Sequence, residues 1–214
     1  MEGLVLPRVV AALACAFAVR NPHSSLRPVS RESWGRTSDG TVFQDMTVIS
    51  MGTATTLMPM AAGNIEAVLA DVSDRAPSLN PEAADFMTLG LAESDDLKRF
   101  LYLFLAIEIE VHAVFKDADR PARISSSLER SFERSHQLVE LVSRGAHAGA
   151  DLLTRFLWCA TFAWTDVSEV NVDQFKAAKK IRDEIAHGDL ARPPGGSAAI
   201  VEQLARKILW CRRS

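Results

Sequence analysis

An arginine and a histidine late in the chain carry its clearest chemical signal. Arg182 and His187 stand in the run Ile181-Arg182-Asp183-Glu184-Ile185-Ala186-His187-Gly188. A histidine exchanges a proton near neutral pH, and a guanidinium can hold a phosphate and the charge that develops on it. The stretch Val172 to His187 reads as a helix. At about 100° per residue, Phe175, Ala178, Ile181, Ile185 and Ala186 share one arc, and Arg182 falls inside it. An arginine on an apolar face needs an acidic partner or an anionic ligand, because an unpaired buried cation is costly. Gly188 suits the left-handed residue that ends a helix, so the helix should stop at His187. The imidazole would then lie near the negative end of the helix dipole, which favours its protonated form. Five residues of ideal helix splay Arg182 and His187 by about 140°. They can meet at one point only if the helix distorts or if they come from two copies of the chain. The same residues also fit a purely structural account, with Arg182 paired to a core acid and His187 exposed at a helix end.

Other side chains bear on that pair. Lys176, Lys179 and Lys180 point away from the apolar arc and are candidates to contact a nucleic-acid backbone. Glu108 shares a helical seam with Leu101, Phe104, Val111 and Phe115, so it should point inward. It is either an additional acid of the site or the counter-ion of Arg182. Glu110 and His112 read as exposed or interfacial, and Trp158, Trp164 and Trp210 as core. From Lys176 to Ser214 there are nine Lys and Arg against four Asp and Glu, which leaves +5 on a chain whose overall charge is −3. A basic end of this kind is what phosphate contacts require.

These residues need elements to position them, and from residue 61 onward the pattern is helical. Asn64 can cap a short helix with Ile65, Val68, Leu69 and Val72 on one side, and Pro77 and Pro81 then bound a linker. A long helix follows over Ser94 to Lys116, with Ser94 as cap, Asp95 and Asp96 suiting its dipole, and an all-round apolar run Phe100 to Ile107 that marks burial in a bundle. Ser127 to Gly145 is more polar, with Leu128, Phe132, Leu138, Leu141 and Val142 inward. Asp151 to Trp164 is apolar again. Pro193-Pro194-Gly195-Gly196 breaks the chain before a last helix, capped by Ser197 and ending near Trp210. The expected fold is all-α, an antiparallel bundle of four to five helices over residues 81–214. Residues 1–80 read as an N-terminal extension. Within it, Ser38-Asp39-Gly40 is a turn signal followed by the β-prone runs Thr41–Phe43 and Met46–Ile49, consistent with a small hairpin.

Composition excludes several classes. The chain has 214 residues, is 48% hydrophobic and 24% charged, and so matches a globular domain rather than a disordered or fibrous one. Cys15, Cys159 and Cys211 are odd in number and widely spaced, which supports neither a disulfide framework nor a structural zinc site. No metal site and no cofactor is expected, since GxGxxG, P-loop, GxSxG and HExxH motifs are absent from the sequence. The longest apolar run, Val9 to Val19, has eleven residues, against the roughly 20 of a spanning helix. Ala14-Cys15-Ala16 resembles a cleavage site, but Glu2 replaces a positive n-region and Pro7 and Arg8 precede the run. A buried or amphipathic N-terminal helix is therefore preferred to an export signal, and the expected location is the cytoplasm, with no membrane partner.

The run Ile181 to Gly188 resembles the signature of the HEPN superfamily, in which a late helix carries an arginine, a polar neighbour, and a histidine after four to six intervening residues. Here four intervene and the polar neighbour is Asp183. The Phe100–Phe115 helix, interrupted by Glu108 and Glu110, resembles the family's long first helix, and the likeness covers residues 90 to 214. The resemblance implies a helical homodimer and a metal-independent endoribonuclease acting in toxin–antitoxin, antiviral or stress systems. It implies RNA as substrate, with a cognate antitoxin or defence protein as a further partner. Carried onto this chain, His187 would move the proton in attack of a 2′-hydroxyl, Arg182 would hold the phosphate, and Asp183 would orient one of them. The product would be a 2′,3′-cyclic phosphate. Some toxin members have a modified tyrosine two residues after the histidine; here that position is Asp189. A non-catalytic RNA- or protein-binding dimerisation module of the same fold is the alternative.

Overall fold

The computed structural model describes residues 2–20, 30–36, 42–48, 62–117 and 150–211. Its elements are α1 (Glu2–Arg20), β1 (Ser30–Arg36), β2 (Val42–Val48), α2 (Ala62–Arg75), a 3-10 turn (Ala76–Ser78), α3 (Pro81–Ala92), α4 (Asp96–Asp117), α5 (Leu152–Phe162), α6 (Glu169–His187) and α7 (Ser197–Trp210). The architecture is all-α apart from one antiparallel hairpin, which pairs Ser30 with Val48 and Arg36 with Val42. Both expected β-prone runs fall along a single strand, β2, and its partner β1 is a polar segment upstream that carries no β signal. The helix expected over Ser127 to Gly145 lies outside the described residues.

Helix starts follow local hydrogen-bond chemistry, and several differ from the sequence expectation. The segment between Pro77 and Pro81 is not a plain linker. Asn80 accepts hydrogen bonds from the backbone N–H of Glu82 and Ala83, and Pro81, whose missing N–H costs nothing in a first turn, opens α3. Asp95, not Ser94, caps α4: its Oδ1 accepts from Leu97 and Lys98, each at 3.0 Å, and the Lys98 bond holds its carboxyl below the usual value. Asp151 caps α5 in the same way through Thr154, at 2.8 Å. Gly196, at φ 83°, takes the cap position before α7, so Ser197 lies inside the helix and is buried. Helix α2 begins at Ala62, which puts Asn64 inside it rather than at its cap. Only Val68 and Val72 of α2's expected apolar side are buried; Ile65 and Leu69 face solvent, because the neighbours of α2 cover one narrow stripe.

Helix α4 is the axis of the core. It packs on α3, α5, α6 and α7, and Phe100, Phe104, Ile107 and Val111 along it are buried. Glu110, expected at the surface, is buried too, as follows for a helix surrounded on most sides. The apolar run Val9 to Val19 is helical and lies within α1. Its small residues Ala11, Ala12, Ala14, Cys15 and Ala16 are buried against α2, α3 and α7, so one core runs across position 80. Among the described residues no helix is long and apolar enough to cross a membrane.

Two features fix the helix spacing around α4. Glu202 of α7 accepts hydrogen bonds from Arg99 of α4 and from Arg206 one turn further along α7, and Glu202 and Arg206 are buried. Removing one partner of such a cluster leaves buried charge uncompensated, at a cost of about 3–5 kcal/mol. The second feature is Gly90 of α3. A Cβ there would stand 2.6 Å from Cγ and 2.8 Å from Cδ2 of the fully buried Leu103. Alanine gains roughly 1 kcal/mol in helix propensity over glycine, but overpacking a tight core costs about 1–3 kcal/mol. Gly90→Ala should therefore lower the thermal midpoint by several degrees in a calorimetric scan; a raised midpoint would show that α3 and α4 are not in close contact there.

Candidate functional site

Helix α6 carries the arginine–histidine motif, and its two ends are set by local bonds. At its start, Asn171 Oδ1 accepts from the Ser168 backbone N–H at 3.1 Å and from the Ser168 hydroxyl at 3.0 Å. At its end Gly188 adopts φ 81°, and the N–H groups of Asp189 and Leu190 return to the carbonyl of Glu184 at 2.9 and 3.1 Å. The helix stops at His187, where the sequence places its end, because only glycine enters the left-handed region without strain.

Phe175 anchors this helix. Its ring stacks on Phe156 of α5 at 3.8 Å between centroids and 4° between planes, and on Phe104 of α4 at 5.9 Å and 13°. Phe175 and Ala178 are the fully buried residues of α6, while Ile181 and Ile185 are half-buried. Ala186, expected on the core arc, is exposed with His187, Gly188 and Asp189. Ile185 still packs against the core, and only the final residues of the helix, Ala186 and His187, stand in solvent.

Arg182 lies where the sequence puts it, on the inner side of α6 facing α4. Its guanidinium sits over the Phe104 ring at 5.2 Å from the centroid. Nη2 meets Glu108 Oε2 at 3.5 Å and Nη1 meets Asp183 Oδ1 at 2.9 Å. Glu108 is thus brought to Arg182 as a counter-ion. Asp183 also binds Lys179 Nζ at 2.7 Å, so one carboxylate joins both cations.

Beyond Glu108 the contacts continue to His112 and Arg155. His112 Nε2 lies 3.7 Å from Glu108 Oε1, and His112 Nδ1 lies 2.7 Å from Nη1 of Arg155. A guanidinium can only donate, so Nδ1 accepts and the ring turns Nε2–H toward Glu108. Arg155 is held in turn by its Nε bond to the Ala150 carbonyl at 2.8 Å and by the Phe115 ring. A chain of alternating groups therefore runs Lys179, Asp183, Arg182, Glu108, His112, Arg155 across α6, α4 and α5. The signal for His112 was its position four residues after Glu108, which puts both on one helix face. Arg155 gave no signal, since it contacts α4 through tertiary packing alone.

His187 is on another side of α6. It lines an open cleft of about 340 Å³ together with Lys176, Lys179, Lys180, Asp183 and Glu184. The three lysines expected to meet RNA are thus brought together with the histidine, and Arg182 is not in that lining. The separation follows from the helix itself, since five residues turn through about 140° beyond a full turn. Each lysine has a nearby acid: Lys176–Asp173 at 3.5 Å, Lys179–Asp183 at 2.7 Å and Lys180–Glu184 at 3.8 Å. The Lys176 and Lys180 pairs are exposed and worth about 0–1 kcal/mol, so they yield readily to a phosphate, whereas Lys179–Asp183 is half-buried. Among the described residues no group of three or more His, Cys, Asp or Glu is placed to hold a metal ion. Trp158 and Trp164 are buried, as expected, while Trp210 is half-buried beneath Arg75.

No family model, curated protein or solved structure matches this chain.

The stack of Phe175 between Phe104 and Phe156 makes a direct prediction. Phe175→Ala should cost about 3–5 kcal/mol of stability in urea unfolding, because the cavity opens between three helices. A loss below about 0.5 kcal/mol, the range of surface changes, would mean that α6 is not anchored there.

Proposed function

We propose that this chain is an HEPN-like endoribonuclease that works as a homodimer, with Arg182 and His187 as catalytic residues and Asp183 as the residue that orients Arg182. The observation that carries the reading is the division of labour along α6. Arg182 is pre-set by Glu108, Asp183 and Phe104, whereas His187 is exposed at the helix end beside three lysines. In a symmetric pair, an isologous contact between two α6 helices brings the arginine of one copy toward the histidine of the other. That arrangement answers the splay imposed by helix geometry.

The reaction needs no group beyond these side chains and the substrate. The neutral imidazole of His187 removes the proton from a ribose 2′-hydroxyl. The oxygen attacks the adjacent phosphorus, the bond to the 5′-oxygen breaks, and the leaving oxygen takes a proton from an imidazolium. Arg182 stabilises the charge on the non-bridging oxygens. The products are a 2′,3′-cyclic phosphate and a free 5′-hydroxyl. Lys176, Lys179 and Lys180 hold the neighbouring phosphates. Defence, stress response or toxin–antitoxin control is the setting this chemistry serves, and the partner in such a system would be a protein that blocks the cleft.

One observation favours a second reading. Arg182 already has two carboxylates within reach, which leaves its charge largely balanced. A module that binds RNA or protein through the lysine cleft, without cleaving, uses the same surface and leaves Arg182 as a structural cation.

Cleavage of RNA by wild type and by His187→Ala, side by side in EDTA with the product ends analysed, separates the two. The nuclease reading predicts cyclic-phosphate ends and a loss of about 10²–10⁴-fold in rate on removing the histidine. A binding module predicts no cleavage by either protein and an RNA affinity that survives His187→Ala and falls with salt. Equal cleavage by both would overturn the assignment of His187.

A further inference from the structure

A larger cavity, of about 670 Å³, lies away from α6, between α1, the end of α2 and α7. Its volume is in the range that holds small ligands, roughly 300–1,000 Å³. One wall is apolar, formed by Ala18 and Val19 of α1 and by Trp210 of α7. Two thiols extend that wall. Burial pushes Cys15 up to about 12 and Cys211 up to about 11, so both are neutral, weakly polar surfaces at physiological pH rather than nucleophiles. The charges in the lining are unequal: Arg75, Arg206 and Lys207 face a single acid, Asp166. The field of Arg206 and Arg75 reaches as deep as the Cys15 thiol.

The basic groups differ in how they are held. Arg75 lies over the Trp210 ring at 4.7 Å and donates from Nη1 to the Trp210 carbonyl at 2.9 Å, which fixes it as part of the frame. Arg206 is tied to Glu202. Lys207 is exposed and, among the described residues, forms no hydrogen bond or ion pair, so its ammonium is available at the cavity. An apolar wall, neutral thiols and a cationic rim select one chemistry. We infer that this cavity is a binding site for a small amphipathic anion, its aliphatic or aromatic body against Ala18, Val19 and Trp210 and its carboxylate or phosphate toward Lys207 and Arg75. The site is independent of the ribonuclease reading and uses none of its residues.

Calorimetric titration of the full chain with octanoate, 1-octanol and acetate tests the inference. Octanoate should bind saturably with one site per chain. Octanol, which has the body without the charge, should bind at least about tenfold more weakly, since it forgoes the charge-assisted hydrogen bonds of the carboxylate. Acetate, which has the charge without the body, should give no saturable heat. Lys207→Gln, at an exposed position that leaves the fold intact, should reduce octanoate binding to the level of octanol. An absence of saturable octanoate binding, equal binding of octanol, or an unchanged affinity in Lys207→Gln would overturn the proposal.

Discussion

A guanidinium cannot give up its proton, and the seam between α4 and α6 is built around that constraint. Arg182 enters a surface otherwise made of Phe104, Phe175, Ala178 and Ile181, where an uncompensated charge would be expensive. The sequence therefore has to supply carboxylates from two directions, Glu108 across the seam and Asp183 beside it. The aromatic stack of Phe104, Phe175 and Phe156 sets the distance between the helices, and the charges set their register. If Phe175 shifts along α6's axis, the Arg182–Glu108 contact is lost with it. Position and electrostatics are thus fixed by the same few residues.

The rest of the bundle keeps α4 where that seam needs it. The Arg99–Glu202–Arg206 cluster ties α4 to α7 in register, because a displaced helix would strand buried charge. Gly90 lets α3 approach Leu103 on another side of α4, and the alanines of α1 allow close packing behind it. Against this rigid frame α6 is held lightly, with two fully buried residues in nineteen. Its end, at Ala186 and His187, is exposed, one residue beyond the last core contact at Ile185. A helix anchored at its middle and exposed at its end is well placed to meet a partner surface, and the proposed dimer uses it in that way.

Much of this was legible from residue types. Gly188 marked the end of α6, the apolar run Phe100 to Ile107 marked a buried helix, and the arc containing Arg182 required an acid that Glu108 supplies. Other elements were hidden because their signals are ambiguous in one dimension. Pro77 and Pro81 look alike as breakers, yet Asn80 turns the second into a helix start through two side-chain bonds. Ser94 and Asp95 are both good caps, and only the folded chain chooses between them. His112, Arg155 and Glu110 show how polar residues on a surrounded helix are recruited by neighbours distant in sequence. Hydrophobic periodicity does not encode such pairings. The cavity beside Cys15 and Cys211 was beyond sequence reading for the same reason, since its walls come from residues 15 to 211.

In the proposed dimer the arginine of one copy works with the histidine of the other. This pairing is tested most directly by co-expressing Arg182→Ala and His187→Ala chains with different tags, purifying the mixed dimer, and measuring RNA cleavage against each variant alone. Each variant dimer lacks one half of every site, whereas the mixed dimer retains one complete site in two. The account predicts that the mixed dimer recovers about half the wild-type rate, as two-fold symmetry requires, while both parent variants stay inactive. A mixed dimer no more active than its parents would contradict it, and would assign Arg182 to the core and His187 to the surface.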